Sequence, residues 1–275
     1  MLPPAEPPRL VIWGYLQPDS VVTVTLSQTF PALDTIASQA ARVSGARVFL
    51  YENNVLVDTL PEVQPGYYQS GKSTKPKNGY AYRYEVHKEG FPILQTPSDT
   101  LPLPPAVDHY VAEWKVTGFT LDHISIVLHL AGIERREFVG NCISYFKESA
   151  SMPAQTTFTL INNPCTARSL GIELDGYLFD DYGCLNGFSS VSMESTSLRH
   201  EDLLLLHERG MTVHLTYLSA ATESVARKLG VFQEAYTESQ GDINLFYEPV
   251  YLPIAIKGGY GYIFFMSPST VNIDF

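Results

Sequence analysis

With 275 residues, 45% of them hydrophobic, the chain is long enough for two domains that each bury a core of their own. Its formal net charge of -11, from 29 acidic against 18 basic residues, and the lack of a Lys/Arg cluster argue against nucleic acid as a partner. No run of about 18 or more apolar residues occurs, which excludes a membrane-spanning helix.

The chain has 17 Tyr, 14 Phe, 19 Gly and 19 Pro but only 17% charged residues, the palette of short strands joined by many turns. A mainly β protein is the expectation. Residues 1–8, with four prolines, read as a tether, because proline blocks both helix and central strand. They lack the basic and apolar regions of a signal peptide, and Met1 followed directly by such a tether is expected where a leader has been removed.

Residues 9–16 and 21–27 flank a turn at Gln17-Pro18-Asp19-Ser20. In the second run Val22, Val24 and Leu26 alternate with Thr23, Thr25 and Ser27, as in a half-buried hairpin. Residues 46–51 and 55–60 surround Glu52-Asn53-Asn54, the composition of a tight hairpin turn. Strands follow at 66–70, at 80–87, where Tyr80, Tyr82, Tyr84 and Val86 share a face, and at 93–96. Seven short strands in about a hundred residues predict an immunoglobulin- or transthyretin-like β-sandwich over 9–96. Residues 97–107, with four further prolines, read as a stiff connector that stays outside any sheet.

Residues 108–275 form the second predicted domain, also rich in β-strand. Strands are expected at 110–117, 124–130, 137–146, 156–161 and 211–218, with a long loop from Asn162 to Thr196 that carries a strand at 177–179. A short helical piece is expected at 201–209. A longer helix is predicted near 219–237, with Ser219 as its N-cap, Glu223 in its first turn and Gly230 as its weak point. Ala221, Val225, Leu229, Phe232 and Tyr236 would form its buried stripe. Gly258-Gly259-Tyr260-Gly261 reads as a turn between two terminal strands, since nothing helical follows to make a phosphate cradle.

Cys142, Cys165 and Cys184 are odd in number, so at least one is free or intermolecular. His200, His207 and His214 recur every seven residues but lack the closer pairing of a zinc motif, and ordinary half-exposed histidines are the plainer reading. Asp175, Asp180 and Asp181 lie beside Gly176 and Gly183, hard oxygen ligands on a flexible backbone that calcium would accept, or a solvated turn. Trp13 and Trp114 are the candidate ligand-binding residues, since indole faces stack on sugar rings or anchor peptide contacts. No nucleophile elbow, Walker loop or dinucleotide fingerprint is present, so no catalytic residue and no cofactor is assigned.

The succession of 10–16, 24–29, 45–51, Gly66-Tyr67-Tyr68 and 80–86, with its Pro-containing exit, resembles the Bacteroidetes family known as domain of unknown function 4249, and the ending 246–264 is similar to that family's ending. Ala255-Ile256-Lys257 stands where a Ser-Asn-Ile type segment is expected. The resemblance implies an exported, lipid-anchored cell-envelope protein, outer-membrane or periplasmic, acting with a TonB-dependent outer-membrane receptor. Lipidation rests on this kinship alone, because no acceptor Cys lies near Met1. A non-enzymatic binding or assembly role is therefore expected. A glycan- or peptide-binding module is the alternative, and a hydrolase the second.

Overall fold

The structure, a computed structural model, describes residues 7–30, 41–104, 106–116, 122–130, 143–146, 158–160, 168–169, 177–178, 190–195, 210–222, 224–225, 228 and 256–274. The described strands begin with β1 (Leu10–Leu16), β2 (Thr23–Gln28), β3 (Arg47–Glu52), β4 (Val55–Leu60), β5 (Glu62–Gln64), β6 (Tyr67–Gln69), β7 (Ala81–His87), β8 (Leu94–Gln95) and β9 (Asp99–Thr100). They continue with β10 (Val107–Val116), β11 (Asp122–Leu130), β12 (Ile143–Phe146), β13 (Phe158–Leu160), β14 (Arg168–Ser169), β15 (Tyr177–Leu178), β16 (Ser190–Ser195), β17 (Met211–Leu218) and β18 (Gly259–Ile273). The chain forms two compact units. One comprises Met1–Leu103, Leu218–Val225 and Tyr251–Ser267; the other comprises Pro104–Tyr217, Ala226–Val250 and Pro268–Phe275.

Unit 1 is a two-sheet sandwich. One sheet runs β18-β1-β2-β6-β5 and the other β4-β3-β7-β8, with β9 also pairing β7. Without β18, these are the A-B-E-D and C′-C-F-G orders of the immunoglobulin fold, which decides between the two sandwich types the strand spacing allowed. Period-two alternation builds the core: Leu10, Ile12, Val24 and Leu26 from one sheet and Val48, Leu50, Tyr84 and Val86 from the other are at most 1% exposed. Asn53 and Asn54 both take positive φ, 47° and 67°, which closes the β3–β4 hairpin in the sense that suits twisted strands.

The buried tyrosines of this core differ in how their hydroxyls are satisfied. Tyr82 accepts the Lys77 N–H at 2.8 Å and donates to Glu52 Oε2 at 2.6 Å, a tie back from strand F to the preceding loop like the tyrosine corner of immunoglobulin domains. Tyr68 accepts the Ala46 N–H at 3.0 Å and donates to the Val43 carbonyl at 3.2 Å. Tyr84 Oη, fully buried, has no hydrogen-bond partner among the described residues. An unmet buried hydroxyl opposes folding, so Tyr84→Phe should raise stability by about 1 kcal/mol in urea titration. A loss of stability in that variant would reveal a bridging water on the hydroxyl.

The proline-rich stretch is more than a connector. Between Pro97 and Pro102 the chain keeps its amide donors, and there β9 pairs with β7, the Leu101 N–H donates to the Tyr80 carbonyl at 3.0 Å, and Leu101 is wholly buried. The sequence also placed Leu218–Val225 and Tyr251–Ser267 with the second domain, whereas their contacts group them with the first unit.

In unit 2, β10, β11, β16 and β13 form an antiparallel sheet in that order, and β12 pairs with β17. Ile124, Ile126 and Leu128 point to one buried face of β11. The expected long loop from Asn162 to Thr196 carries more strand than the sequence reading gave it: β14 pairs with β15, and β16 lies between β11 and β13. Val191 and Met193 alternate with Ser190, Ser192 and Glu194 in β16, a period-two signal hidden by a serine-rich composition. No helix among the described residues is long and apolar enough to cross a membrane, which does not bear on strand-built barrels.

Candidate functional site

On β1 the even-numbered positions face the core, which leaves Val11, Trp13 and Tyr15 on the outer face of the sheet. The last strand lies parallel to the first, in a register that sets Val11 beside Tyr260, Trp13 beside Tyr262 and Tyr15 beside Phe264. Ile263 and Phe265 enter the core, so Tyr260, Tyr262 and Phe264 share the outer face with Trp13 and Tyr15. The Phe264 ring is stacked at 5.4 Å from Tyr15 and 6.2 Å from Trp13, and Tyr262 meets it edge-on at 5.0 Å. On the other side of β1, Thr25 and Thr23 lie opposite Trp13 and Tyr15 and add a row of half-buried hydroxyls.

A turn of helix rests on the β18 side of this face. Residues 220–222, 224–225 and 228 are helical, and Ser219 caps them as the sequence predicts, its Oγ accepting the Thr222 N–H at 3.1 Å. The predicted buried stripe holds at Val225 but not at Ala221, which is exposed while Thr222 is buried. Thr222 faces inward because its Oγ1 accepts the Tyr262 hydroxyl at 2.8 Å and the Phe265 N–H at 2.9 Å. Glu223, Leu229, Gly230, Phe232 and Tyr236 lie outside the described residues. Ser219 also donates its hydroxyl to Asp99 on β9, whose Oδ1 accepts the Thr100 N–H at 2.8 Å.

Burial raises the Asp99 carboxyl above its ordinary value, against the opposing pull of the Ser219 and Thr100 hydrogen bonds. Burial, reinforced by the Asp99 charge, pushes the Tyr262 phenol well up, so it serves as a neutral donor. A serine hydroxyl on a carboxylate has the form of an activated nucleophile, but Ser219 is only 6% exposed and its oxygen is committed to the helix cap. The network is a tie that anchors the helix start to β9 and β18. It leaves Trp13 37%, Tyr15 42% and Tyr260 50% exposed, three accessible rings on two paired strands.

Of the residues singled out in the sequence, Trp13 thus sits in an accessible aromatic group. Trp114 lies on β10 and His214 on β17, with side chains outside the described residues. Cys142, Cys165, Cys184, Asp175, Asp180, Asp181, His200 and His207 fall outside them altogether. Tyr15 and Tyr260 were not singled out. Alternation along β1 already puts Tyr15 on the Trp13 face, but Tyr260 joins only through a pairing that spans the chain. The glycines at 258–261 are also read differently. Gly258 turns the chain, but Gly259 and Gly261 lie within β18, against β1.

The family model described as Domain of unknown function (DUF4249) matches residues 2–131. The match agrees with the resemblance seen in the sequence and stops short of half the chain. The matched part of the chain carries Trp13 and Tyr15, while Tyr260 and Phe264 come from beyond it. No curated protein matches the sequence. Among solved structures, one named "Marsupial T cell receptor" aligns over 93% of this chain and 73% of its own, at 9% identity and a TM-score of 0.24. A likeness of that size supports nothing about ligand or partner, and the immunoglobulin topology rests on the strand pairings themselves.

Proposed function

We propose that this chain is a non-enzymatic binding or assembly protein of the bacterial cell envelope, lipid-anchored in its natural setting, and that its partner docks on the outer face of β1 and β18. The observation that carries this reading is the half-exposed trio of Trp13, Tyr15 and Tyr260. Two of these rings are held by stacking on the buried Phe264, so little side-chain freedom is lost when they are covered. Large aromatic side chains on a rigid sheet are the typical anchors of a protein contact. The family resemblance supports the envelope setting and a TonB-dependent receptor as the partner.

A pull-down from outer-membrane extract with the wild-type chain and a Trp13→Ala/Tyr15→Ala variant tests it. The variant should retain its thermal transition, since both side chains lie on an open face, and should lose at least tenfold in affinity for the captured receptor. Retention of full affinity would sink the assignment of this face. A second reading, glycan binding, is favoured by the Thr23 and Thr25 hydroxyls beside the rings, because sugars combine stacking with hydrogen bonding. Selective capture of one glycan on an array, with no receptor in the pull-down, would decide for it.

A further inference from the structure

In unit 2, β10 and β11 are antiparallel, and their register steps from Val107 opposite Leu130 to His109 opposite His129. Asp108 is therefore the extra residue of a β-bulge, a feature that re-aims side chains and recurs beside functional sites. Two consequences are visible. Asp108 Oδ2 lies 2.8 Å from His109 Nδ1, and the imidazoles of His109 and His129 stack with centroids 4.2 Å apart and planes within 14°. The bulge opens on a cavity of about 520 Å³, lined by Asp108, His109 and Tyr110 from β10 and by Ser269, Thr270 and Asn272 from β18.

The geometry points to a binding site for a borderline divalent transition-metal ion, held by the imidazoles of His109 and His129 and backed by Asp108. An ionised carboxylate can only accept, so Asp108 fixes the proton of neutral His109 on Nδ1 and leaves the Nε2 lone pair for a ligand. A carboxylate behind a histidine in this way is the usual outer partner of a metal-bound imidazole. Metal–nitrogen bonds of about 2.0–2.1 Å lie close to each ring's plane, so the two directly opposed imidazoles must turn out of their parallel stack to share one ion, a rotation that the exposed His109 side chain has room to make. Among the described residues no group of three His, Cys, Asp or Glu side chains is placed to hold a metal, so the proposed site has two protein ligands, of which His109 but not His129 also lines the cavity. Imidazole donors select Cu(II), Ni(II) and Zn(II) over Mg(II) and Ca(II), with Cu(II) the tightest.

Calorimetric titration of the full chain with Cu(II), Ni(II), Zn(II) and Mg(II), paired with electron paramagnetic resonance of the Cu(II) form, tests the site. Cu(II) should bind tightest and Mg(II) not at all, and the wild-type spectrum should report two nitrogen ligands. His109→Gln and His129→Gln, which preserve side-chain bulk on this face, should each weaken the tightest Cu(II) site at least tenfold and lose one nitrogen from the spectrum. Asp108→Asn should weaken it about tenfold with both nitrogens retained. An unchanged isotherm and spectrum in either histidine variant, with folding verified by circular dichroism, would overturn the assignment. Equal binding of Mg(II), or an Asp108→Asn variant identical to wild type, would overturn the chemistry proposed for it.

Discussion

Replacing Gly261 by alanine is expected to destabilise the chain by about 3 kcal/mol or more, enough to lower the melting temperature of its sandwich unit by over about 10 °C. Gly261 sits opposite Ile12 in the parallel pairing of the first and last strands, with φ at +113°, a conformation that L side chains rarely adopt. A Cβ built there would lie 1.9 Å from the Ile12 carbonyl oxygen and 2.7 Å from its backbone nitrogen, atoms of a strand paired on both sides. Neither can withdraw without breaking the ladder. The damage reaches the core through Ile263 and Phe265 and the outer face through Tyr262 and Phe264, which this register places. Gly79→Ala is the matched control. Gly79 also has positive φ, +79°, but an added Cβ meets nothing within 4 Å, so only backbone strain of about 1–2 kcal/mol remains. Equal losses in the two variants, measured by urea titration, would show that the close approach to β1 contributes nothing.

Ser219→Ala is expected to cost about 2–3 kcal/mol at neutral pH, because one oxygen serves two ends. The variant loses the cap on the Thr222 N–H and withdraws the hydroxyl donor from the carboxylate of Asp99. Asp99 has a folded-state pKa raised above its ordinary value by burial. A raised carboxyl contributes stability that is fully present below its unfolded pKa and is lost as pH rises through the folded one. Without the Ser219 donor the folded pKa climbs further, so protonation relieves the variant at a higher pH than it relieves the wild type. The stability difference between the two should therefore be smaller at mildly acidic pH than at neutral pH. A difference independent of pH would leave only the helix cap and refute the coupling to Asp99. Wild-type acid stability also reflects opposing groups. Glu85 is lowered, chiefly by its hydrogen bond from His87, and so contributes stability present above its unfolded pKa and lost as pH falls through the folded one.

The two-sheet sandwich was legible because its signals are local. Alternation in 21–27 and 80–87 exposes one face of each strand, and Asn53-Asn54 closes a hairpin by its own backbone preference. Ser219 was equally legible as a helix cap, since capping depends on the next three residues. Proline content marks the connector, but the amide donors that remain between Pro97 and Pro102 let β9 pair with β7, which composition alone does not reveal. The exposure of Ala221 has another cause. Apolar spacing favoured Ala221, but Thr222 turns inward to satisfy the Tyr262 hydroxyl and the Phe265 N–H, partners about forty residues away that no helical periodicity can reveal.

The same division separates the two sites. By itself the sequence determined a mainly β chain with an N-terminal sandwich of immunoglobulin or transthyretin type, a resemblance to one family, and Trp13 as an aromatic position on an alternating strand. Only the tertiary structure brought Gly259–Phe265 alongside β1 in parallel and so completed the aromatic face with Tyr260 and Phe264. It likewise paired His109 with His129, twenty residues on, across a bulged hairpin. The physical reason is common to both: a residue's face on a strand follows from its immediate neighbours, whereas the strand that comes to lie beside it is chosen by how the whole sheet buries its apolar side.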